Sequence, residues 1–414
     1  MNESNNAYTA KVFDEYERRF AEARAKRTLR DPSDASDRTD ILRDARKMLG
    51  FDVISAPKIK IIDSNEEIIE GFRVRHMLFC SWEHAYGEAT LILPEKCQGR
   101  LPTVVICNGH SAAGRAGKYY QKLGFRFAAC GMAVLLSDNL GQGSRTSFGH
   151  MDVIAPFFCG ATLQGMIVAE SCAWIEWLAE QPFVDPAAIG ACGNSGGGVL
   201  TMFLTATSPR LAAAAACGYP SEFSYVLQKE KKHCCCNLLT GCAKLGDMWE
   251  ICGAFAPKPL LIVSGQWDEL FPPDVVRRTF RKIRSAYVSA NAEQSFERRV
   301  TPTKHSLEDI DLDIICAFFC KSFGLEYVED RVSENQCIGE VCHFSYPDDA
   351  ISTNQLCEQL FDVKVEADAK LEQIFIPKYQ NAPVDVSRID NRFFGCNTMR
   401  ILSQMELALT IVER

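Results

Sequence analysis

The residues Gly193-Asn194-Ser195-Gly196-Gly197 set one hydroxyl among small neighbours in a G-x-S-x-G pattern. The apolar run 189–192 before them reads as a strand, and 198–204 after them reads as a helix. A strand turning sharply into a helix strains the serine backbone and lifts its hydroxyl clear of both elements. The helix N-terminus then offers free N–H groups beside that hydroxyl, where negative charge develops during attack on a carbonyl. The competing reading is a glycine-rich phosphate cradle. It lacks the lysine of a Walker loop, and its glycine spacing is wrong for a dinucleotide site.

A serine nucleophile needs an imidazole base, and the base needs an orienting carboxylate. Three histidines follow Ser195: His233, His305 and His343. His305 comes after the strand-like run 295–300 and before an apolar helix at 307–323, so a loop carries it over a sheet edge. Asp268 sits just after the run 260–263, in the loop 264–272. Glu269 is its rival, and Asp274 is weaker because it opens a helix. Carboxylates at the C-terminal ends of strands lie where ligands collect in open α/β sheets. The oxyanion hole needs a second N–H from an earlier strand–loop junction. Asn108-Gly109-His110, after the run 103–107, offers the His110 amide as partner to that of Gly196. Asn108, Gly109, Asn194 and Trp267 are the further pocket candidates.

The elements that must hold these residues follow a clear rhythm. Three runs within 58–94 (IKIID, FRVRHMLF, ATLILP) alternate with turn-rich pieces and predict antiparallel strands. From residue 101 the pattern becomes strand then helix, with apolar runs at 103–107, 132–137, 188–192, 211–217 and 259–264 and helices at 163–181 and 273–289. Runs of this kind suit strands buried on both faces, and the alternation predicts a mostly parallel sheet with helices on both faces. The expected organisation is an N-terminal helical segment 1–54, a catalytic α/β domain 55–330 with a lid-like insert 219–257, and a C-terminal extension 331–414 of unassigned role. In that extension Met399, Leu402, Met405, Leu409 and Val412 mark an amphipathic helix. Its apolar stripe must be buried against something, and a homodimer or larger assembly is one expected answer.

Together these residues resemble the α/β-hydrolase superfamily, most of all its acetyl xylan esterase-like and dienelactone hydrolase-like serine esterases. The resemblance covers roughly residues 55–325. It rests on PTVVICNGH at 102–110, SDNLGQGS at 137–144, VDPAAIGACGNSGGG at 184–198, APKPLLIVSGQWDELFP at 256–272, and His305. It implies the α/β-hydrolase fold and a Ser-His-Asp triad carried by Ser195, His305 and Asp268. It also implies a structural turn at Asp138 bordering the site. The sequence departs from the resembled pattern at three places. Asn108-Gly109 stands where His-Gly is commoner, Leu140 stands in place of Arg in Arg-Gly-Gln, and Gly196 stands in place of Gln in Gly-x-Ser-Gln-Gly. These departures bear on acetyl-xylan specificity and not on hydrolase chemistry.

Composition narrows the partners. The 414 residues carry 45 Lys+Arg against 53 Asp+Glu, a net charge of -8, which speaks against bulk nucleic-acid binding. No apolar run approaches the roughly 18 residues of a membrane span, and the polar N-terminal stretch is not a secretory signal. Nineteen cysteines, many inside apolar runs, fit small buried hydrophobes in a reducing, cytoplasmic compartment. The insert holds His233-Cys234-Cys235-Cys236 and Cys242. Adjacent side chains diverge, so convergence of His233, Cys235 and Cys242 on a metal would need help from elsewhere, and Cys337, Cys342 and His343 are weaker still. The expectation is therefore no metal, no cofactor and no effect of chelators. The leading function is a serine esterase acting on a small-molecule carboxylic ester, an acetyl ester among the candidates. The alternatives are the same triad acting on an amide, lactone, thioester or C–C bond, or a non-catalytic hydrolase-fold scaffold.

Overall fold

The strand rhythm is realised as one nine-stranded sheet in the order β1-β2-β3-β5-β4-β6-β7-β8-β9. The computed structural model describes residues 3–96, 99–151, 153–227, 234–329, 343–366, 368–393 and 397–412. β1 (Lys60–Ile69), β2 (Phe72–Cys80) and β3 (Tyr86–Pro94) form the expected antiparallel meander. β3 hands over to β5 (Ala133–Ser137) in antiparallel pairing. From there β4 (Leu101–Cys107), β6 (Val184–Asn194), β7 (Leu211–Cys217), β8 (Leu260–Gly265) and β9 (Phe296–Thr301) pair in parallel. β8 is buried at every position, as a strand covered on both faces must be. This is an α/β-hydrolase architecture, as the sequence implied.

The two faces of the sheet are covered unequally. One carries α3 (Lys118–Ala129) and α7 (Asp309–Phe323), whose Phe127 and Phe319 rings meet edge to face. The other carries α1 (Glu3–Lys26), α2 (Ala35–Leu49), α4 (Leu163–Ala179), α5 (Gly196–Thr207), the insert and the C-terminal extension in one continuous core. α6 (Pro273–Ser289) closes the side beyond β8. The insert is clamped by α1: Arg24 pairs with Asp247 at 2.7 Å, and Arg27 pairs with Glu250. Removing one partner of such buried pairs leaves an uncompensated charge.

In the C-terminal extension, α8 (Thr353–Phe361) and α9 (Thr398–Leu409) fill gaps in the same core. Every residue of α9 is buried. Glu406 accepts a hydrogen bond from Tyr16 Oη at 2.5 Å and pairs with Arg19 at 3.1 Å. Phe13 of α1 stacks on Phe393 at 6.0 Å. Of the expected stripe, Met399, Leu402, Met405 and Leu409 are thus covered from within their own chain, while Val412 lies beyond the helix end and is exposed; an oligomer draws no support from the buried part. No described helix is long and apolar enough to cross a membrane.

Candidate active site

Ser195 is held where β6 stops and α5 begins, with φ 58 and ψ -117. A non-glycine residue at positive φ is strained, and the surrounding structure must hold it there. Two hydrogen bonds do so: the Ser195 N–H donates to the Cys217 carbonyl at 3.0 Å, and its carbonyl accepts from Val199 at 3.0 Å. Three glycines follow it. A Cβ on Gly197 would lie 1.9 Å from the Cys107 carbonyl, and one on Gly198 would lie 2.3 Å from that of Cys217. Only glycines let α5 start wedged between the ends of β4 and β7.

The acid and base come from the two neighbouring strand ends. The loops after β8 and β9 are laced together, with Gln266 N–H donating to Thr301 and Trp267 N–H donating to Thr303. This brings His305 between Asp268 and the serine. His305 Nε2 is 2.8 Å from Ser195 Oγ, and its Nδ1 is 2.8 Å from Asp268 Oδ2. The other Asp268 oxygen accepts from Leu270 N–H at 2.8 Å and Phe271 N–H at 2.9 Å. Burial pushes the Asp268 carboxyl up, but the His305 hydrogen bond and the two backbone N–H groups outweigh it and hold the group below its ordinary range. The Phe271 ring stacks on the imidazole at 5.6 Å and screens it from water. The rival carboxylates stand apart: Glu269 is exposed, and Asp274 is exposed and paired with Arg277.

The two residues expected to supply oxyanion amides are close neighbours. Gly196 is the first residue of α5, so its N–H has no intrahelical acceptor. The His110 nitrogen lies 3.5 Å from where a Gly196 Cβ would be. The Gly109 N–H is taken by the Tyr120 hydroxyl, which fixes the loop one residue upstream. The His110 ring covers Gly196, and an added Cβ there would sit 2.9 Å from Cε1 and Nδ1. The missing glutamine of the resembled pattern has its reason here, because the imidazole fills that space.

The other pocket candidates divide. Trp267 is exposed on the rim, 56% accessible. Asn108 is buried, and its amide donates to the Ser137 carbonyl at 2.7 Å, bracing β4 against β5. Asn194 is buried over Gly218, and Gly109 allows the close approach of the Asn194 carbonyl. Asn108 therefore braces backbone. Asp138 is fully buried in the glycine-rich turn, bound by the Arg115 guanidinium at 2.6 Å and by Ser144. His233, Cys337 and Cys342 lie outside the described residues. His343 stands 3.3 Å from Glu88. The sequence reading did not single out Tyr120 or His150, which brace the oxyanion loop. His150 Nε2 is 3.2 Å from His110 Nε2, and no local pattern marks either residue.

A serine at the turn after β6, with a carboxylate after β8 and an imidazole after β9, is an arrangement that fits the α/β-hydrolase fold. The model of the acetyl xylan esterase family matches residues 51–235, which include Ser195 and stop before Asp268 and His305. A provisionally named hydrolase of Bacillus subtilis (strain 168), YtaP, is 22% identical over 256 residues, 59% of this chain and 84% of its own. Among solved structures, the chain is similar to Methylesterase BT1017, with a TM-score of 0.62 and 21% identity over 78% of this chain and 73% of that one. It is also similar to acetyl xylan esterase 1 from Thermoanaerobacterium sp. JW/SL YS485, with a TM-score of 0.50 and 17% identity over 73% and 98% of the two chains. The chain has the α/β-hydrolase fold, and the match of residues 51–235 to the acetyl xylan esterase family supports a carboxylic ester hydrolase.

Proposed function

We infer that this chain is a serine esterase that cleaves a small carboxylic ester through an acyl-enzyme, with acetyl esters foremost among its substrates. The observation that carries the reading is the continuous hydrogen-bonded line from Ser195 Oγ through His305 to Asp268, both links at 2.8 Å. In this mechanism neutral His305 takes the hydroxyl proton as Ser195 attacks the ester carbonyl. The ionised Asp268 holds the ring in the tautomer that presents a bare Nε2. The His110 and Gly196 amides receive the developing oxyanion. The imidazolium then protonates the leaving alcohol, and water repeats the sequence on the acyl-enzyme. The matched family and one similar structure are named for acetyl esters and another for a methyl ester, which supports a small group on one side of the bond. A reducing cytoplasmic setting belongs to the same proposal, and the many cysteines inside apolar runs support it.

The test is labelling with a fluorophosphonate probe, followed by a p-nitrophenyl ester panel from acetate to longer acyl chains. The expected result is labelling that Ser195→Ala abolishes and a preference for acetate. A chain that binds no probe, or that labels equally without Ser195, overturns the assignment.

A further inference from the structure

Behind the oxyanion loop, four soft donors from three separate segments point at one spot. They are His110 from the loop after β4, His150 from the loop after β5, and Cys234 and Cys236 from the insert. Their Nε2 and Sγ atoms all lie within 4.8 Å of one another. His110 Nε2 is 3.2 Å from His150 Nε2 and 3.2 Å from Cys236 Sγ, and the two sulfurs are 3.0 Å apart. In a tetrahedron with Zn–N of about 2.0 Å and Zn–S of about 2.3 Å, neighbouring ligand atoms fall about 3.3–3.8 Å apart. Three of the six pairs lie just below that range and the other three lie within 4.8 Å, so small shifts bring the four atoms onto one ion.

The surroundings prepare these atoms to act as ligands. The His150 Nδ1–H donates to the Leu140 carbonyl at 2.8 Å, which leaves its Nε2 lone pair facing the cluster. The Gln142 amide reaches that same nitrogen at 3.2 Å and is the neighbour that competes for it. The Cys236 N–H points at Cys234 Sγ at 3.3 Å, a contact that favours a thiolate. One-residue spacing puts Cys234 and Cys236 on the same side, while Cys235 turns away to the Arg400 guanidinium at 3.3 Å. His150, Cys234 and Cys236 are buried. Two thiolates cancel the charge of a dication, so the filled centre is neutral, as burial requires.

We propose that His110, His150, Cys234 and Cys236 bind one structural zinc ion, which fastens the insert to the oxyanion loop. All four positions come from protein, so the ion has no open site for substrate or water and takes no chemical step. Its effect is positional. It fixes the ring that covers Gly196, and with it the backbone amide of His110. The two cysteines bind as thiolates and release their protons to solvent. This reverses the expectation that chelators are without effect. It stands apart from the esterase assignment, because metal content is measured without substrate.

The experiment uses the full-length untagged chain purified from zinc-supplemented medium. Elemental mass spectrometry is expected to find one zinc per chain, and little in the Cys234→Ser/Cys236→Ser double variant. Because poor folding of that variant would give the same loss, the native chain is also exchanged with Co²⁺. A thiolate-to-cobalt charge-transfer band, with intense tetrahedral bands in the visible, is the expected signature, weakened in Cys236→Ser. A native chain that holds no zinc and gives no thiolate band with Co²⁺ overturns the site. So does a band that persists in the double variant, since its thiolates would then come from elsewhere, such as the buried trio Cys130, Cys316 and Cys320.

Discussion

The line Ser195–His305–Asp268 and the cluster His110–His150–Cys234–Cys236 meet on opposite sides of Gly196, yet they are built differently. Each member of the first sits at the end of its own parallel strand, so the sheet alone brings the three together. Members of the second ride on loops and on the insert, with Cys236 placed 126 residues from its His110 partner. Its geometry depends on contacts that form only when the insert is docked. A sheet edge can therefore carry the reacting atoms, while the part that shapes the oxyanion pocket is held from outside.

Breaking the first region should give the largest effect. Ser195→Ala should cost roughly 10⁴–10⁶-fold in turnover while leaving the urea midpoint unchanged. Asp268→Asn should follow, at about 10⁴-fold, because the imidazole loses the acceptor that sets its tautomer. Glu269→Gln, on an exposed neighbour, should leave turnover near that of the native chain. Were Glu269 the damaging position, it would be the orienting carboxylate instead.

Gly196→Ala tests the junction of the two regions. Its Cβ would press on the His110 ring at 2.9 Å, displacing an oxyanion donor, and a loss of about 10²-fold in kcat with little change in KM is expected. The pH dependence of stability gives a gentler effect. The Asp268 carboxyl titrates below its ordinary range in the folded chain, so it contributes stability that is fully present above the unfolded carboxylate value, about 3.9. That stability is lost as pH falls through the lowered value. The gap in urea midpoint between native and Asp268→Asn chains should be constant near neutrality and close in strong acid. Smallest of all for catalysis, Tyr16→Phe should cost about 1.5–3 kcal/mol of stability by removing the donor to Glu406, with kcat unchanged.

The legibility of these regions follows their construction. Ser195, Asp268 and His305, which the structure brings within hydrogen-bond reach, stand out because a strand end, a loop and a helix start leave local marks in hydrophobicity and glycine content. The strands at 103–107 and 211–217 were readable for the same reason. Asn108 reads as a pocket residue because a polar side chain next to a nucleophile looks the same whether it faces substrate or ties two strands together. The insert was harder. Its thiols were weighed by local spacing, which favours ligands a few residues apart, whereas both histidines that face them lie on earlier loops. Nothing within ten residues of His150 marks it as a partner of Cys234. The burial of α9 was legible as a need, but its target was not, since amphipathicity names a face and not the surface that covers it.

The pairing of Tyr16 with Glu406 spans 390 residues. On a ribosome adding about 5–20 residues per second, that separation is roughly 20–80 s of synthesis. Throughout that interval the Tyr16 and Phe13 face of α1 is already made, while the Phe393 and Glu406 side that covers it is not. A helix made early is thus among the last to be sealed. Chaperone demand in the cell should therefore track that waiting face more than the sheet, whose strands find their neighbours as they appear.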